Sequence, residues 1–524
     1  MNEFRNIRDL LQQRTRENPS KTFLISEIDG RKWSYSEFSG AVDRTAALLM
    51  GSGVGKGVVV SLLMPNSPEY VIAYFACFNI GAVAGPVNSL LKPAEIEWAV
   101  RNSEAKIVLA ESSMRDSAGL AALSPAAGIA DFPPVLVFDN IDEAASDSVT
   151  ELPLPEIGLD DEAVIIYTSG TTGKPKGCLL THGNLLANAR QITDWLGFTE
   201  ADRLLTVMPL FHMNAVTVTT MTALYCGGST VVASKFSASR FWDIIEEHEI
   251  TSFGSVATML SMLLAKRGEL KAANRGSRIK ENSSLSTRDS RLSTLRFAMC
   301  GSAPVPAEVL KNFEEAFDCL VIEGYGLSES TCRSTFNPPN KNRRPGSCGL
   351  PIGNEMKVFD EDHNELPDGE LGEIVLRGPN IFKGYFKNPD ATVKAFEGGW
   401  FHTGDIGYRD PEGYFYIADR KSDMIIRGGE NIYPREIDDL LYTHPAVAAA
   451  AVIGVPDQLY GEEVAAFIVL KEGESASETA IIEFCKQHLG DYKCPKTVRF
   501  VADIPKGPTG KLLKRELADL ISSE

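Results

Sequence analysis

The residues best suited to chemistry lie in one stretch, Tyr167–Gly177, which reads YTSGTTGKPKG. It follows the apolar run Ala163–Ile166, so a strand is predicted to end where hydroxyl groups, glycines and lysines begin. Glycines let a backbone approach an anion closely, and hydroxyl and amide groups then donate to its oxygens. The stretch therefore predicts a loop that holds the phosphates of a nucleotide. Its phosphate-binding residues would be Thr168, Ser169, Gly170, Thr171, Thr172 and Gly173, with positive charge from Lys174 and Lys176.

This loop is not a Walker A motif, because that motif has four residues between its glycines, whereas Gly170 and Gly173 have two between them. It resembles the phosphate loop of the adenylate-forming superfamily, which includes acyl-CoA synthetases, beetle luciferases and the adenylation domains of peptide synthetases. The resemblance extends from about Leu10 to Leu520 and rests on several separate motifs. It implies that ATP and Mg²⁺ convert a carboxylic acid into an acyl-adenylate, and that coenzyme A then accepts the acyl group.

A second motif, Glu323–Glu329, reads EGYGLSE and is similar to the family's Tyr-Gly-x-Thr-Glu sequence. The resemblance implies that Tyr325 stacks against adenine and that Ser328 donates to the α-phosphate. Glu329 would hold Mg²⁺ through a hard carboxylate oxygen. Serine stands where threonine is commoner in the family, and it retains the hydroxyl group. The residues that would bind the nucleotide here are Glu323, Gly324, Tyr325 and Gly326.

Two further segments match nucleotide-binding motifs of the family. Gly301, Ser302 and Ala303 resemble the turn that passes beside adenine and the acyl chain. Asp405 matches the acid that accepts hydrogen bonds from the ribose hydroxyls, and Arg420 matches the arginine beside it. The resemblance thus assigns all five residues to the nucleotide site.

Two residues would act where the acid and the thiol react. Lys511, in Pro508–Leu512, matches the lysine that bridges the acid's carboxylate and the α-phosphate as charge builds there. His212 matches a position at the mouth between the acyl pocket and the thiol channel. Together with Ser328 and Glu329, these residues form the predicted catalytic set.

Apolar strand-like runs alternate with amphipathic helical stretches through roughly the first 400 residues, a pattern typical of parallel sheets covered by helices. We expect an α/β fold with a large N-terminal domain of parallel and mixed sheets layered with helices, and a small mobile α+β C-terminal domain. Val71–Val87 predicts a buried helix, a turn and a core strand rather than a membrane span. The predicted strands are Val58–Leu63, Lys106–Leu109, Val135–Phe138, Arg203–Val207 and Thr230–Ala233, and the predicted helices are Pro93–Asn102, Ala238–Glu247 and Ala307–Phe317.

A domain boundary is predicted near Ala418–Asp423, between an ATP- and acyl-binding domain (residues 1–420) and a mobile catalytic lid (residues 421–524). The resemblance implies that the lid first closes Lys511 over ATP. It then rotates about Ser422, where family members often carry Asp or Lys, and the turn Gly428-Gly429 opens a channel for pantetheine. A second segment, Lys266–Ser293, is rich in Lys, Arg, Asn and Ser and predicts an exposed, mobile connection.

The overall charge argues against a nucleic-acid-binding protein. The chain has 52 basic and 70 acidic side chains, a formal charge of −18, and so lacks the basic footprint that nucleic acid requires. Nine cysteines form no C-x-x-C pair, and with seven histidines no zinc spacing appears. The odd cysteine count and a polar, helix-like start favour reduced thiols in the cytoplasm. The sequence leaves a homodimer open.

The resemblance places the acyl pocket among small and medium side chains, which favours a short to medium aliphatic acid over a flat aryl acid. The spacing of VMPLFHMN, SKFSASRFW and IRGGENIYPRE is similar to that of bacterial ligases for carnitine-like and other small acids. Three alternatives stay open: loading of a phosphopantetheine carrier protein, oxidative chemistry of the luciferase kind, and a non-catalytic nucleotide-binding protein. The predicted lining is Met213–Val216, Ser255–Ala257, Cys300-Gly301 and Ser330-Thr331.

Overall fold

The computed structural model describes residues 4–114, 132–139, 153–168, 175–276, 294–301, 305–506, 512–514 and 516–517. Within these ranges two large sheets, a smaller antiparallel sheet and a separate C-terminal sheet account for most strands. No helix of this described part is both long and apolar enough to cross a membrane. All nine cysteines are free thiols.

The first large sheet has seven strands: β1 (Thr22–Ser26), β2 (Lys32–Ser34), β9 (Arg203–Thr206), β10 (Ser229–Val232), β11 (Ser252–Ser255), β12 (Phe297–Cys300) and β13 (Leu320–Glu323). Their order is β13-β12-β11-β9-β10-β1-β2, and only β2 runs antiparallel to its neighbour. Ser255 pairs with Cys300, and Cys300 pairs with Glu323. The carboxyl ends of β11, β12 and β13 therefore lie side by side, where open α/β sheets bind ligands.

The second large sheet contains β3 (Val59–Leu63), β4 (Val83–Pro86), β5 (Ile107–Ala110), β6 (Val135–Val137), β7 (Glu162–Thr168), β8 (Lys176–Thr181) and β18 (Gly384–Tyr385). Its order is β18-β8-β7-β4-β3-β5-β6. The strand predicted before the phosphate loop is confirmed as β7. It pairs antiparallel with β8, and Thr168 lies opposite Lys176.

Helices cover these sheets as the alternating pattern predicts. The predicted helices Pro93–Asn102 and Ala307–Phe317 have the observed bounds, while the third begins later, at Phe241. Every residue of Pro68–Ile80 is buried, which confirms the buried helix. The helices described in this part of the chain are α1 (Ile7–Glu17), α2 (Tyr35–Gly51), α3 (Pro68–Ile80), α4 (Pro93–Asn102), α5 (His182–Leu196), a π-helix (Asn214–Met221), α6 (Thr222–Cys226), α7 (Phe241–Glu247), α8 (Ala257–Gly276), α9 (Ala307–Phe317) and α10 (Pro389–Ala395).

The start of the predicted mobile connection is wrong. Residues 266–276 belong to α8, which runs from Ala257 to Gly276. This part of the segment contains Lys, Arg, Glu, Leu and Ala, which are strong helix formers. Its charged residues therefore belong to a helix rather than to a coil. Residues 277–293 lie outside the described part of the chain.

The third sheet, β16-β17-β19-β20, is antiparallel throughout and pairs Asp405 with Arg420. Its strands are β16 (Glu355–Phe359), β17 (Gly372–Arg377), β19 (Phe401–Arg409) and β20 (Phe415–Arg420); a separate short pair is β14 (Thr335–Phe336) and β15 (Leu350–Pro351). Single-turn 3₁₀ helices are Ser112–Met114, Ser328–Ser330, Glu397–Gly399 and Asp491–Lys493.

The C-terminal unit has its own sheet, β22-β21-β24-β23, with β25 parallel to β24 on the side. Its elements are β21 (Ile425–Arg427), β22 (Glu430–Ile432), α11 (Pro434–Tyr442), β23 (Val447–Asp457), β24 (Gly461–Leu470), α12 (Glu478–Lys486) and β25 (Thr497–Phe500). Ile432, Leu441 and Val452 are among the buried residues of a core that this unit does not share with the large sheets. The expected fold class, a large α/β part and a smaller C-terminal domain, is confirmed.

Candidate active site

The predicted phosphate loop connects β7 to β8. Thr168 ends β7 and Lys176 begins β8, so the two lie at the base of this connection. The Lys176 ammonium lies 4.9 Å from the centre of the Tyr385 ring on the neighbouring β18. The positive charge is thus held at the edge of the sheet by a cation–π contact. The other six residues predicted for this loop, Ser169, Gly170, Thr171, Thr172, Gly173 and Lys174, lie outside the described residues.

The carboxylate of Glu329 faces the same hairpin. Ser328 and Glu329 form the single-turn helix that follows the EGYGL segment, and both are half-buried. The Tyr385 hydroxyl donates to Glu329 Oε1 over 3.1 Å. Burial and the Glu329 charge both raise the pKa of Tyr385, so the phenol keeps its proton. Lys176, Tyr385 and Glu329 therefore form one connected cluster at the predicted phosphate position.

This cluster fits Mg²⁺. In the described part of the chain, no group of three or more His, Cys, Asp or Glu side chains is placed to hold a metal ion. Mg²⁺ bound with ATP does not need such a group, because one or two carboxylates and the phosphate oxygens suffice. Glu329, as a single carboxylate beside a lysine, has the donor type that this mode requires.

Three residues predicted for the nucleotide site meet around Asp405. The Tyr325 hydroxyl donates to Asp405 Oδ2 over 2.5 Å, although the two residues are 80 positions apart. Arg420 Nε lies 3.1 Å from Asp405 Oδ1. Asp405 is 3% exposed, and its negative charge raises the pKa of Arg420. The structure therefore brings together residues from two separate motifs, with the half-buried Arg420 paired to the buried Asp405.

The glycines predicted for the nucleotide site allow unusually close backbone packing. A Cβ on Gly301 would lie 2.6 Å from Gly324 O, and a Cβ on Gly326 would lie 2.0 Å from Cys332 O. Because real side chains do not reach such distances, only glycine fits at both positions. The chain after β12 and the chain after β13 thus pass against each other at the carboxyl edge of the sheet. Ser302 and Ala303 lie outside the described residues.

His212 lies just before the π-helix, and its environment keeps it neutral. Burial lowers its pKa to about 4, and its Nε2 has no hydrogen-bond partner among the described residues. A neutral imidazole can accept a proton or a hydrogen bond without repelling an approaching cation. A neutral side chain of this kind is compatible with the position predicted for His212 at the mouth of the acyl pocket.

The predicted pantetheine turn is a two-residue hairpin loop between β21 and β22. Gly428 has φ +61° and Gly429 has φ +92°, a backbone geometry that glycine adopts without strain. The Gly428 amide donates to Tyr460 O over 2.8 Å, which ties the turn to the residue directly before β24. Lys511 lies outside the described residues. Close to it in sequence, Lys514 Nζ lies 3.0 Å from Asp438 Oδ2 on α11.

Two family matches cover most of the chain. The AMP-binding enzyme family matches residues 11–386, and the AMP-binding enzyme C-terminal domain matches residues 436–511. The chain belongs to the AMP-binding enzyme family. The two matched regions correspond to the large N-terminal part of the fold and to the C-terminal unit. The boundary at residue 420 stays a prediction.

Relatives of this AMP-binding enzyme match over nearly their whole length. It is 35% identical to a sulfoacetate–CoA ligase of Cupriavidus necator, over 98% of this chain and 97% of that protein. It is 34% identical to the long-chain-fatty-acid–CoA ligase FadD13 of Mycobacterium tuberculosis, over 99% of both chains. The crystal structure of ATP-bound MatB from Rhodopseudomonas palustris superposes with a TM-score of 0.87 at 31% identity, over 98% of this chain and 99% of that chain.

These matches give the enzyme its class. This AMP-binding enzyme is an acid–thiol ligase of the AMP-forming kind and uses ATP, Mg²⁺ and coenzyme A. The specific roles predicted for Lys511, His212 and the other site residues stay predictions.

Sequence reasoning missed Tyr385 and Arg333 in this AMP-binding enzyme. Tyr385 links Lys176 to Glu329, yet it lies in a two-residue strand that no motif marks. Arg333 follows the second motif and is 1% exposed. The only sequence signal for Tyr385 is its aromatic ring in a short apolar run, and Arg333 carries no signal because its polar neighbours suggest an exposed position.

The buried Glu323 gives the enzyme a pH-dependent stability. Burial raises its pKa to about 8, although the Gly346 amide donates to its carboxyl group. The unfolded-state carboxyl has an ordinary pKa near 4.5. Folding therefore gains from the bound proton at low pH, and this gain is lost as the pH rises from about 4.5 through 8. The loss amounts to about 5 kcal/mol when complete, of which about 4 kcal/mol falls between pH 5 and pH 9.

Glutamine does not ionise, so Glu323→Gln should not lose stability as the pH rises. We therefore expect the stability of Glu323→Gln, compared with that of the wild type, to be greater at pH 9 than at pH 5. In a chain of this size the thermal midpoints should separate by about 3 °C at pH 9. Thermal unfolding across this pH range measures the difference. The exposed Glu370→Gln serves as the control and should follow the wild-type profile. Parallel profiles for Glu323→Gln and the wild type would contradict the assignment of a protonated Glu323.

Proposed function

We propose that this enzyme joins a small carboxylic acid to coenzyme A through an acyl-adenylate. The observation that carries the proposal is the meeting of Tyr325 and Arg420 on Asp405, since it brings two motifs together around the carboxylate predicted to bind the ribose. The cluster of Lys176, Tyr385 and Glu329 adds the charge that a triphosphate requires.

In the first half-reaction, a carboxylate oxygen of the acid bonds to the α-phosphorus as the bond to pyrophosphate breaks. Two anions must approach each other, so the protein has to supply positive charge and fixed donors. Lys176 would supply charge at the phosphates, Ser328 a hydroxyl donor, and Lys511 an ammonium on the attacking carboxylate. Mg²⁺ held by Glu329 would neutralise charge on the phosphate oxygens.

In the second half-reaction, the thiolate of coenzyme A bonds to the acyl carbon and AMP leaves. The turn Gly428-Gly429 would border the path of the pantetheine arm, because its glycines leave that surface without side chains. His212 would stand at the mouth of the acyl pocket as a neutral group. Loading of a phosphopantetheine carrier protein would use the same first half-reaction and differs only in the thiol.

The predicted acyl pocket supports a small acid. The Asn214 side chain lies against Gly254 of β11, where a Cβ would come within 2.7 Å of Asn214 Oδ1. Relatives are named for sulfoacetate, oxalate, feruloyl and long-chain fatty acid ligation, so their names do not select one acid. Of the two predicted acids, a carnitine-like one requires an acidic or aromatic cage. The buried charge beside Gly301 is the Arg333 guanidinium. Because this group is positive and would repel the cation of a carnitine-like acid, it favours the short acid.

Asn214→Trp tests the lining directly. Indole in place of the amide would fill the space over Gly254, so we expect the preferred acid to become shorter. The ratio of kcat/KM between a four-carbon and a two-carbon acid should fall about 10-fold. Val218, four residues along the same π-helix and equally buried, provides the matched control as Val218→Ile. An unchanged chain-length profile in Asn214→Trp would remove Asn214 from the lining.

The function itself is tested by AMP release from ATP with a panel of short and medium acids, each with and without coenzyme A. We expect one acid class to give AMP release that coenzyme A accelerates. Adenylate formation that coenzyme A does not accelerate would support a carrier protein as acceptor. Absence of adenylate formation with every acid would contradict the proposal and favour a nucleotide-binding protein without ligase activity.

A further inference from the structure

Arg333 is a buried cation without a counter-charge. Its side chain is among the largest that are fully buried, at 1% exposure, and Nε and Nη2 have no hydrogen-bond partner in the described part of the chain. No carboxylate among the described residues forms an ion pair with it, whereas Arg296, Arg343 and Arg344 each pair with one. A guanidinium cannot shed its proton, so burial leaves a full charge with unmet donors.

The backbone of Arg333 is firmly anchored. Its amide donates to Asn188 Oδ1 over 3.1 Å, and its carbonyl accepts from Asn188 Nδ2 over 2.6 Å. Asn380 Nδ2 also donates to that carbonyl, over 3.2 Å. Among the described residues, the Phe336 ring is the one aromatic ring that the guanidinium lies over, with its centre 5.4 Å from Arg333 Cζ. The backbone at Arg333 is therefore fixed in position, while the charge of its side chain is only weakly compensated.

The guanidinium points to the carboxyl edge of the first large sheet. It occupies the place of a side chain at Gly301, where a Cβ would lie 2.8 Å from both Arg333 Cζ and Nη1. Asn214 lies over the next strand, against Gly254, is 4% exposed, and has no partner for Oδ1 or Nδ2 within the described residues. Thr217 Oγ1 donates to Thr331 O over 3.2 Å, so the two segments that carry Asn214 and Arg333 contact each other.

We propose that Arg333, with Asn214 over the neighbouring strand, forms a subsite for a second anionic group on the acid substrate. The substrate is then a short acid that carries a carboxylate or a sulfonate in addition to the carboxylate that is adenylated. This inference rests on the proposed function and gives its substrate class. A planar guanidinium binds either anion through two parallel hydrogen bonds, and the Asn214 amide donates a third. Such an anion would satisfy the unmet donors of both side chains.

The test compares acids of matched shape. Malonate is paired with isovalerate, and sulfoacetate with 3,3-dimethylbutyrate, because each second acid replaces the anionic group with an uncharged one of similar size. Pyrophosphate release without coenzyme A measures kcat/KM for each. We expect the wild type to prefer the dianionic member by about 100-fold, the range of charge-assisted hydrogen bonds. The larger of the malonate and sulfoacetate ratios identifies the anion that the subsite fits.

Arg333→Met should abolish this preference and bring both ratios close to one. Replacing a buried, unpaired charge with an apolar side chain of similar length is compatible with folding, and thermal unfolding verifies it. Arg333→Lys retains the charge but not the two parallel donors, so about a tenth of the preference should remain. The matched control is Arg296→Met at the opposite end of β12, where Arg296 pairs with Asp202. It should retain the wild-type ratios even if it is less stable.

A wild-type ratio near one, or an equal ratio in the wild type and Arg333→Met, would overturn the subsite while leaving the ligase function intact. If the wild type activates no acid, the proposed function fails, and direct binding then decides the subsite separately. In equilibrium dialysis with AMP and radiolabelled malonate or, separately, sulfoacetate, binding of either acid to the wild type but not to Arg333→Met supports it. Equal binding to both proteins, or binding to neither, overturns it.

Discussion

Glu329→Gln should lower the rate of adenylate formation about 100- to 1,000-fold, the range seen when a group that stabilises transition-state charge is removed. Glutamine has the shape of glutamate but lacks the charge that a hard cation such as Mg²⁺ requires. The Tyr385 hydroxyl can still donate to the amide oxygen, so the local structure should persist. The variant should therefore bind ATP and release pyrophosphate slowly. Pyrophosphate release over a series of Mg²⁺ concentrations measures the effect, and higher Mg²⁺ should restore part of the rate.

Tyr385→Phe provides the matched control for this prediction. It removes the hydroxyl that donates to Glu329 but leaves the ring against which Lys176 lies. Since it leaves the charge of Glu329 in place, we expect a loss of only about 10-fold, the low end for one hydrogen bond to a charged group. A wild-type rate and an unchanged Mg²⁺ dependence in Glu329→Gln would show that another group holds the metal.

The elements that the sequence predicted best are those with strong local signals. The helix Pro93–Asn102 begins with proline at its first position, and Ala307–Phe317 has a clear apolar face with Leu310, Phe313 and Phe317 buried. Both were predicted with their observed bounds. The segment that continues α8 to Gly276 has a charged composition that is typical of a mobile connection, but its helix-forming residues determine its structure.

The predicted site shows the same contrast between local and tertiary information. Asp405 and Arg420 are recognisable from motifs, and the pairing of β19 with β20 brings them together. The burial of Arg333 is a tertiary property: Asn188 and Asn380 anchor its backbone from segments about 145 and 47 positions away. No window of sequence around CRSTF contains that information. Its unpaired charge is visible only after the carboxylates of the fold have been placed.

The contacts around Ser422 describe what a domain rotation would have to change. Ser422 is exposed, in a turn closed by the Asp423 amide, which donates to Arg420 O over 3.0 Å. Beyond the turn, the amide of Arg435 on α11 donates to Asp419 Oδ2 over 2.9 Å, and its guanidinium donates to the carbonyl of Ile417. These contacts join the C-terminal unit to β20. A rotation about residue 422 would have to release them, while the backbone dihedrals at Ser422 change.

Ser422→Pro should therefore separate the two half-reactions. Proline fixes φ near −65° and removes the backbone N–H, which has no hydrogen-bond partner among the described residues, so little native bonding is lost. Adenylate formation should stay within about 5-fold of the wild type, whereas thioester formation should fall more than about 100-fold because the lid cannot rotate. Single-turnover assays of pyrophosphate release and of acyl-CoA formation measure the two steps.

Ser422→Ala is the matched control, since it removes the hydroxyl that bonds to Asp423 but leaves φ free; both steps should stay within about 3-fold of the wild type. Equal loss of both half-reactions in Ser422→Pro would show that the substitution damages the turn rather than the rotation. Full thioester formation would place the hinge elsewhere. Loss of the second step alone is the result that a rotation about this residue requires, because only that step depends on the exchange of the lid's two faces.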